Sequence, residues 1–162
     1  MRFMKNSWII PRSNQVKVLR ASGMSKAIDR GSFSPDDISP WFWEIVEKCE
    51  RDRNQLRSVL EDMSRDEIIR FDNEFQDAAV QLVDEPFFEF MDEGISEDSA
   101  KDVADFVVSQ GKGSYASVWE HPDQIPTNIR MGEQKTFSGV ASKVFWERFG
   151  GKIPSKNEGH RT

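Results

Sequence analysis

The sequence predicts an all-α protein, a compact bundle of about five to seven helices that follows an irregular N-terminal arm. Apolar residues recur in steps of three and four along most of residues 40–149. Typical helix-starting residues precede several of these stripes. Of the 162 residues 37% are hydrophobic, including 12 Phe and 5 Trp, so a chain of this length can bury one substantial core.

The first predicted helix begins at Ser39-Pro40, because serine caps exposed backbone N–H groups and proline fits the first helical turn. A second helix follows over residues 54–63. The apolar positions of these two helices are Phe42, Trp43, Val46, Cys49, Leu56, Val59, Leu60 and Met63.

The clearest amphipathic helix starts at Ser64. Ser64 and Glu67 form a capping-box sequence, in which each side chain accepts from the other residue's backbone N–H. Pro86 helps to end or redirect the helix. Its apolar face consists of Ile68, Phe71, Phe75, Ala78, Ala79 and Leu82.

One short apolar element and three further helices are predicted. A short apolar turn or helix over residues 87–91 is closed by Gly94, after which Ser96 starts a helix that ends at Gly111. A helix around residues 115–119 and a last one over residues 136–149 follow, the latter ended by Gly150-Gly151. We expect one core, formed by Phe42, Val46, Leu60, Ile68, Phe71, Phe75, Leu82, Val107 and Phe145.

The net charge of −6 is unevenly distributed. Residues 1–35 form a basic, partly flexible arm, residues 36–151 the helical domain, and residues 152–162 a polar tail. Met24 leaves open whether residues 1–23 belong to the native protein. Nine acidic side chains and one cation, Lys101, lie within residues 84–105, a density that favours a basic partner over nucleic acid.

Several protein classes are excluded by composition. No stretch approaches the roughly 20 apolar residues of a membrane-spanning helix, and the first residues lack the apolar run of a secretory signal. The single cysteine, Cys49, cannot form an internal disulfide, which indicates a reducing cytoplasm. Because Cys49 lies on an apolar stripe, we expect a buried, unreactive thiol.

No catalytic residue, metal site or cofactor is predicted. His121 and His160 are too far apart in sequence to suggest a zinc site, and the acidic stretch lacks the spacing of a calcium loop. Gly111-Lys112-Gly113-Ser114 lacks the first glycine of a phosphate loop and follows a helix, so we interpret it as a turn between helices.

Six segments of the chain resemble a bacterial family, domain of unknown function 4240 (DUF4240). They are Phe42-Trp43-Glu44-Ile45-Val46-Glu47, Met63-Ser64-Arg65-Asp66-Glu67-Ile68, Phe71, Gly94-Ile95-Ser96-Glu97-Asp98, Val108-Ser109-Gln110-Gly111-Lys112-Gly113-Ser114-Tyr115 and His121-Pro122-Asp123. The resemblance covers about residues 40–126, extends through the last helix and supports the all-α fold. Its motif positions are Phe42, Trp43, Ser96, Asp98, Gly111, Tyr115, Pro122 and Asp123.

The chain also departs from the family pattern. The resemblance implies two phenylalanines and an arginine where this chain has Ala100, Val103 and Ala104, and an aspartate at Glu97. If the family arginine pairs with one of those acids, the pair is missing here, and a function that depends on it is lost.

We favour a non-catalytic protein-binding module, with an immunity-like or antitoxin-like role, and leave the oligomeric state open. The predicted surface for a basic protein partner consists of Glu89, Asp92, Glu93, Glu97, Asp98 and Asp102. The alternative is an enzyme with a carboxylate-based or cation-dependent site near Asp98, Asp102 and Tyr115. A pocket that collects Asp98, Tyr115 and His121 would favour the enzyme.

Overall fold

A computed structural model describes residues 33–129 and 136–156. Its helices belong to the unit Ser34–Thr162, and the described residues contain no strand, so the all-α prediction is confirmed. Apart from its last three residues, the predicted basic arm lies outside the described part of the chain.

Six α-helices and three single-turn 3-10 helices make up the described unit. The α-helices are α1 (Pro40–Lys48), α2 (Arg53–Glu61), α3 (Arg65–Val80), α4 (Glu97–Ser109), α5 (Lys112–Glu120) and α6 (Val140–Phe149). The 3-10 helices are Pro35–Asp37, Phe88–Phe90 and Pro122–Gln124. Helix α3 packs against α1, α4 and α6, while α5 packs against α4 and the first 3-10 helix.

The predicted helix starts are confirmed by their hydrogen bonds. Ser39 Oγ accepts from the backbone N–H of Phe42 at 3.2 Å. Ser64 and Glu67 form the reciprocal capping box, and Ser96 Oγ accepts from the N–H of Ser99 at the start of α4. Local side-chain chemistry therefore sets where these three helices begin.

All nine residues of the predicted core are buried. The Phe42 ring lies 5.0 Å from that of Phe71 and 6.3 Å from that of Phe75, so α1 and α3 share an aromatic cluster. Cys49 is buried as expected. Burial raises the pKa of its thiol, against a smaller lowering by Lys48.

Several predicted boundaries are wrong. Helix α2 ends at Glu61 and not at residue 63, and α5 begins at Lys112 and not near residue 115. The last helix begins at Val140 and not at residue 136, because Gly139 adopts a left-handed conformation, with φ of 79°, just before it. Phe137 is nevertheless buried, and its N–H donates to Ser109 Oγ at 2.8 Å. The 3-10 helix after α3 is capped by Met91, and Gly94 lies in the following turn.

None of the described helices is long and apolar enough to cross a membrane.

Candidate functional site: an acidic groove

A groove of about 760 Å³ lies between the C-terminal half of α3 and the first turns of α4. The turn that follows α3 closes one side of it through Asp84, Glu85 and Phe88. Residues that are about 20 positions apart in sequence therefore share one concave surface. We call it the acidic groove.

Part of the lining of the acidic groove is apolar, and we call this part the floor. Val80 is 53% exposed and Phe88 39% exposed, although both are large hydrophobic side chains. Val83 and two alanines complete the apolar lining. Large apolar side chains that are exposed on a concave surface are typical of binding sites. Soluble domains rarely expose a contiguous apolar patch unless a ligand or partner covers it.

Carboxylates line the same groove, and we call them its rim. Five acidic side chains line the groove: Asp77, Asp84, Glu85, Glu97 and Asp98. Asp77 forms an ion pair with Lys156. None of the other four forms an ion pair with a lysine or arginine in the described part of the chain. The groove therefore combines uncompensated negative charge with an apolar floor.

One cation, Lys101, is found among the described residues that line the groove, and it is engaged elsewhere. Its Nζ lies 2.8 Å from Oδ2 of Asp105, which is 1% exposed. Burial raises the pKa of Asp105, and the hydrogen bond from Lys101 acts in the opposite direction. Asp72, on α3, has its pKa raised by the same desolvation. The lysine thus compensates a buried acid and leaves the groove carboxylates uncompensated.

Local hydrogen bonds and packing fix the two elements that contribute the groove acids, the turn after α3 and the first turn of α4. The carbonyl oxygen of Asp84 accepts from the N–H groups of Phe87 and Phe88, which forms the turn after α3. Phe87 is fully buried, with its ring 5.5 Å from that of Trp119, so it anchors this turn on the core. On the other side, the Ser96 cap places Glu97 and Asp98 in the first turn of α4, where the helix dipole favours acids.

The predicted partner-binding residues divide into two groups. Glu97 and Asp98 line the groove, whereas the other four, Glu89, Asp92, Glu93 and Asp102, do not. Asp92 is tethered to a distant loop, since its Oδ2 accepts from Asn128 Nδ2 at 3.1 Å.

Sequence reasoning missed the contribution of α3, namely Asp77 and Val80. The sequence did contain a signal for this contribution. Val80 is apolar but lies just beyond the edge of the buried Phe75-Ala78-Ala79 stripe, so the core does not need it.

The acidic groove does not bring together the residues of the alternative, enzymatic site. Tyr115 is fully buried, and its Oη donates to the carbonyl oxygen of Ala78 at 2.7 Å. Burial also raises the pKa of Tyr115, which disfavours the phenolate needed for a general base. Asp98 lines the groove, but neither Tyr115 nor His121 does. Among the described residues, no group of three His, Cys, Asp or Glu side chains could hold a metal ion.

The motif positions of the resemblance mostly make structural contacts. Phe42 and Trp43 are buried, and Ser96 caps α4. Pro122 and Asp123 lie in the 3-10 helix after α5. Two of the remaining motif residues, Gly111 and Tyr115, connect α5 to the rest of the bundle.

Gly111 permits a close approach between α1 and α5. Its φ is 107°, and a Cβ added there would lie 3.2 Å from Cγ of Glu47. Glu47 Oε2 accepts from the N–H of Lys112 at 3.0 Å, so a carboxylate from α1 caps the N-terminus of α5. This contact gives Gly111 a structural role. The predicted turn is too long, however, because Lys112, Gly113 and Ser114 form the first turn of α5 and Gly111 alone of the four residues lies outside it.

The fold and the groove define a small all-α protein whose described surface includes an acidic, partly apolar groove. The chain belongs to the family described as protein of unknown function (DUF4240), whose family model matches residues 40–149. The resemblance predicted from sequence is thereby confirmed, including its extension through α6. Comparison with curated proteins gives no match, and comparison with solved structures gives none either.

The positions at which the resemblance implies other residues are buried in this chain. Ala100, Val103 and Ala104 all lie on the buried side of α4, and Ala100 also lines the acidic groove.

Proposed function

We propose that this protein is a non-catalytic protein-binding module that docks a basic segment of another protein in the acidic groove. The observation that carries the proposal is the combination of an exposed apolar floor, at Val80 and Phe88, with a rim of uncompensated carboxylates. Apolar anchors supply most of the affinity of such interfaces, and complementary charges supply selectivity and speed of association.

The rim acids select for lysine or arginine in the partner. Asp84 and Glu85 belong to the turn after α3, and Glu97 and Asp98 belong to the first turn of α4. A segment with an apolar side chain between flanking cations matches both features. An acidic segment would bring like charges together at every rim position, which is unfavourable.

Within this proposal the finer role is neutralisation of a basic protein, as in immunity proteins and antitoxins. The net charge of −6 supports it, because opposite charge accelerates encounter with a basic target. We assign this role to the cytoplasm, where the buried free thiol of Cys49 stays reduced.

A defined peptide tests the groove. The probe is a fluorescein-labelled helical peptide of lysine, leucine and alanine, with leucines on one face and lysines beside them. A peptide with glutamate in place of every lysine is the control. We expect the lysine peptide to bind and the glutamate peptide not to bind, as measured by fluorescence anisotropy.

Two matched variants locate the binding. The groove variant carries Asp84→Asn, Glu85→Gln, Glu97→Gln and Asp98→Asn. The surface variant has the same charge change through four exposed acids outside the groove, replaced as Glu44→Gln, Asp62→Asn, Glu120→Gln and Asp123→Asn. The groove variant should bind about tenfold more weakly or worse, because exposed ion pairs contribute about 0.2–1 kcal/mol each.

The surface variant controls for net charge and should bind within about twofold of the unaltered protein, since distant exposed charges are screened. Equal affinity of the two variants, or no binding of the lysine peptide, contradicts the proposal. Circular dichroism confirms that both variants remain folded.

The four predicted acids outside the groove have a separate role in this proposal. Glu89, Asp92, Glu93 and Asp102 add long-range attraction, which acts on encounter. Their joint replacement by amides should slow association with the lysine peptide and leave its dissociation rate nearly unchanged. This role is contradicted if neither the four replacements nor added salt changes the association rate constant.

A further inference from the structure

Helix α6 carries the most exposed large hydrophobic side chain in the described part of the chain. Trp146 is 65% exposed. The buried residues of α6 are Val140, Ala141, Val144 and Phe145, and the helical period puts Trp146 on the opposite face. Trp146 therefore contributes little to the core. A solvent-facing tryptophan is unfavourable in an isolated domain and is the residue type most typical of interface hot spots.

The surroundings of Trp146 are apolar and basic. Phe149, one turn further on, is 39% exposed, and Lys143, one turn before, is exposed. Lys152 follows just after the helix and is also exposed. We call these four residues the Trp146 face.

The Trp146 face carries a net positive charge. Lys143 and Lys152 form no ion pair with a described residue. The acid of this helix, Glu147, is held by an ion pair to Arg57. The Trp146 face is thus an apolar anchor with uncompensated cations near it in sequence.

The Trp146 face and the acidic groove are complementary in both respects. One presents a large exposed aromatic side chain with two exposed lysines near it in sequence, and the other combines exposed apolar side chains with carboxylates from two elements. A groove of about 760 Å³ is larger than an indole ring. Pairing two Trp146 faces with each other would bring lysines together and leave the groove empty, so charge favours the groove as the site for this anchor.

We propose that the Trp146 face of one copy of this chain docks in the acidic groove of a second copy. This inference rests on the proposed function, because it names a second copy of the chain as one occupant of the same groove. The two surfaces differ, so the contact is heterologous. Each copy keeps one unused groove and one unused Trp146 face, and association can continue from copy to copy. A basic partner protein then competes with the second copy for the groove.

Oligomeric state provides the test, measured on the full chain by sedimentation equilibrium. The concentration series should extend to about 1 mM, because small interfaces are usually weak. The unaltered protein should show an average mass that rises with concentration beyond that of a dimer. Trp146→Ser should abolish the rise without unfolding, since the side chain is exposed. The groove variant should abolish it as well.

Mixing the two variants provides the decisive measurement. The Trp146→Ser protein keeps an intact groove, and the groove variant keeps an intact Trp146 face. An equimolar mixture should therefore form a dimer, and nothing larger, although each component alone is monomeric. The surface variant should self-associate like the unaltered protein.

Three results overturn the inference: an unaltered protein that stays monomeric, a groove variant that still self-associates, or a mixture that contains monomers alone. Binding of the lysine peptide distinguishes failure of the self-association inference from failure of the proposed function. If the peptide binds Trp146→Ser normally while the chain stays monomeric, the groove binds basic segments and the second copy is not an occupant. If the peptide fails to bind as well, both proposals fall.

Discussion

The Tyr115 hydroxyl donates a 2.7 Å hydrogen bond to the carbonyl oxygen of Ala78, across 37 positions of sequence. It joins α5 to the last turn of α3, the helix end that also forms one wall of the acidic groove. The Tyr115 ring packs 5.4 Å from that of Trp43. Tyr115, which the sequence suggested as part of an enzymatic site, therefore links the three helices α5, α3 and α1.

Removing this hydroxyl tests that role. Tyr115→Phe should lower the free energy of unfolding by about 1–3 kcal/mol, because the buried carbonyl oxygen of Ala78 loses this hydrogen-bond donor. Tyr115→Ala should cost about 3–5 kcal/mol, since it also removes the ring from the core. Urea unfolding measures both. A Tyr115→Phe protein as stable as the original would show that the hydrogen bond contributes nothing.

The Gly111 turn allows a matched comparison with a neighbouring glycine. Gly111→Ala should destabilise the protein by about 1–3 kcal/mol, because alanine is strained at this φ and its Cβ would press on Glu47. Gly113 lies inside α5, with nothing within 4 Å of an added Cβ. Gly113→Ala should therefore be neutral or stabilising by up to about 1 kcal/mol. Thermal unfolding distinguishes them, and equal shifts would contradict the role of the turn.

The buried acid Asp105 should make stability depend on pH. Burial raises its folded-state pKa above the unfolded value, so the folded state binds the proton more tightly. The contribution of protonated Asp105 is then fully present below the unfolded pKa of about 4 and is lost as pH rises through the folded pKa. The groups that face it are Lys101 and Asp102 on α4, Asp72 on α3 and Ser138 before α6.

Urea unfolding over a pH series checks this sign. The free energy of unfolding of the unaltered protein, relative to that of Asp105→Asn, should fall as pH rises between the unfolded-state and folded-state pKa of Asp105. Above the folded-state pKa it should level off. The exposed Asp62→Asn substitution controls for the change in net charge. A difference between the unaltered protein and Asp105→Asn that rises with pH would mean that the Lys101 pair outweighs burial.

The thiol of Cys49 should react slowly in the native protein. Its side chain is buried, and desolvation raises its pKa, so little thiolate is present or accessible. Labelling with a chromogenic thiol reagent should accelerate strongly when urea unfolds the chain. Fast labelling of the folded protein would revive a catalytic role for this residue.

The basic arm should be dispensable for folding of the helical domain. A shortened chain that begins at Ser34 keeps the Ser34 cap, whose Oγ accepts from the N–H of Asp36. Its helicity and melting temperature should match those of the full chain. A large loss of either would show that apolar residues of the arm fill part of the core.

Much of the fold follows from chemistry between near neighbours in sequence. Ser39, Ser64 and Ser96 each satisfy backbone groups within three residues, so the starts of α1, α3 and α4 were predictable. The 3.6-residue period of apolar side chains correctly identified the core. It placed the start of α6 too early, because Phe137 is buried although it precedes the helix, where its N–H donates to Ser109 Oγ at the end of α4.

The acidic groove and the capping of α5 were decided by tertiary structure. Val80 meets Glu97 in one groove because α3 packs against α4, and Glu47 caps Lys112 across 65 positions. By itself the sequence determined an all-α domain, its core and an acidic stretch. Which acids share a surface, and whether Trp146 faces the core or the solvent, depends on how helices pack, and packing geometry is set by side chains far apart in the chain.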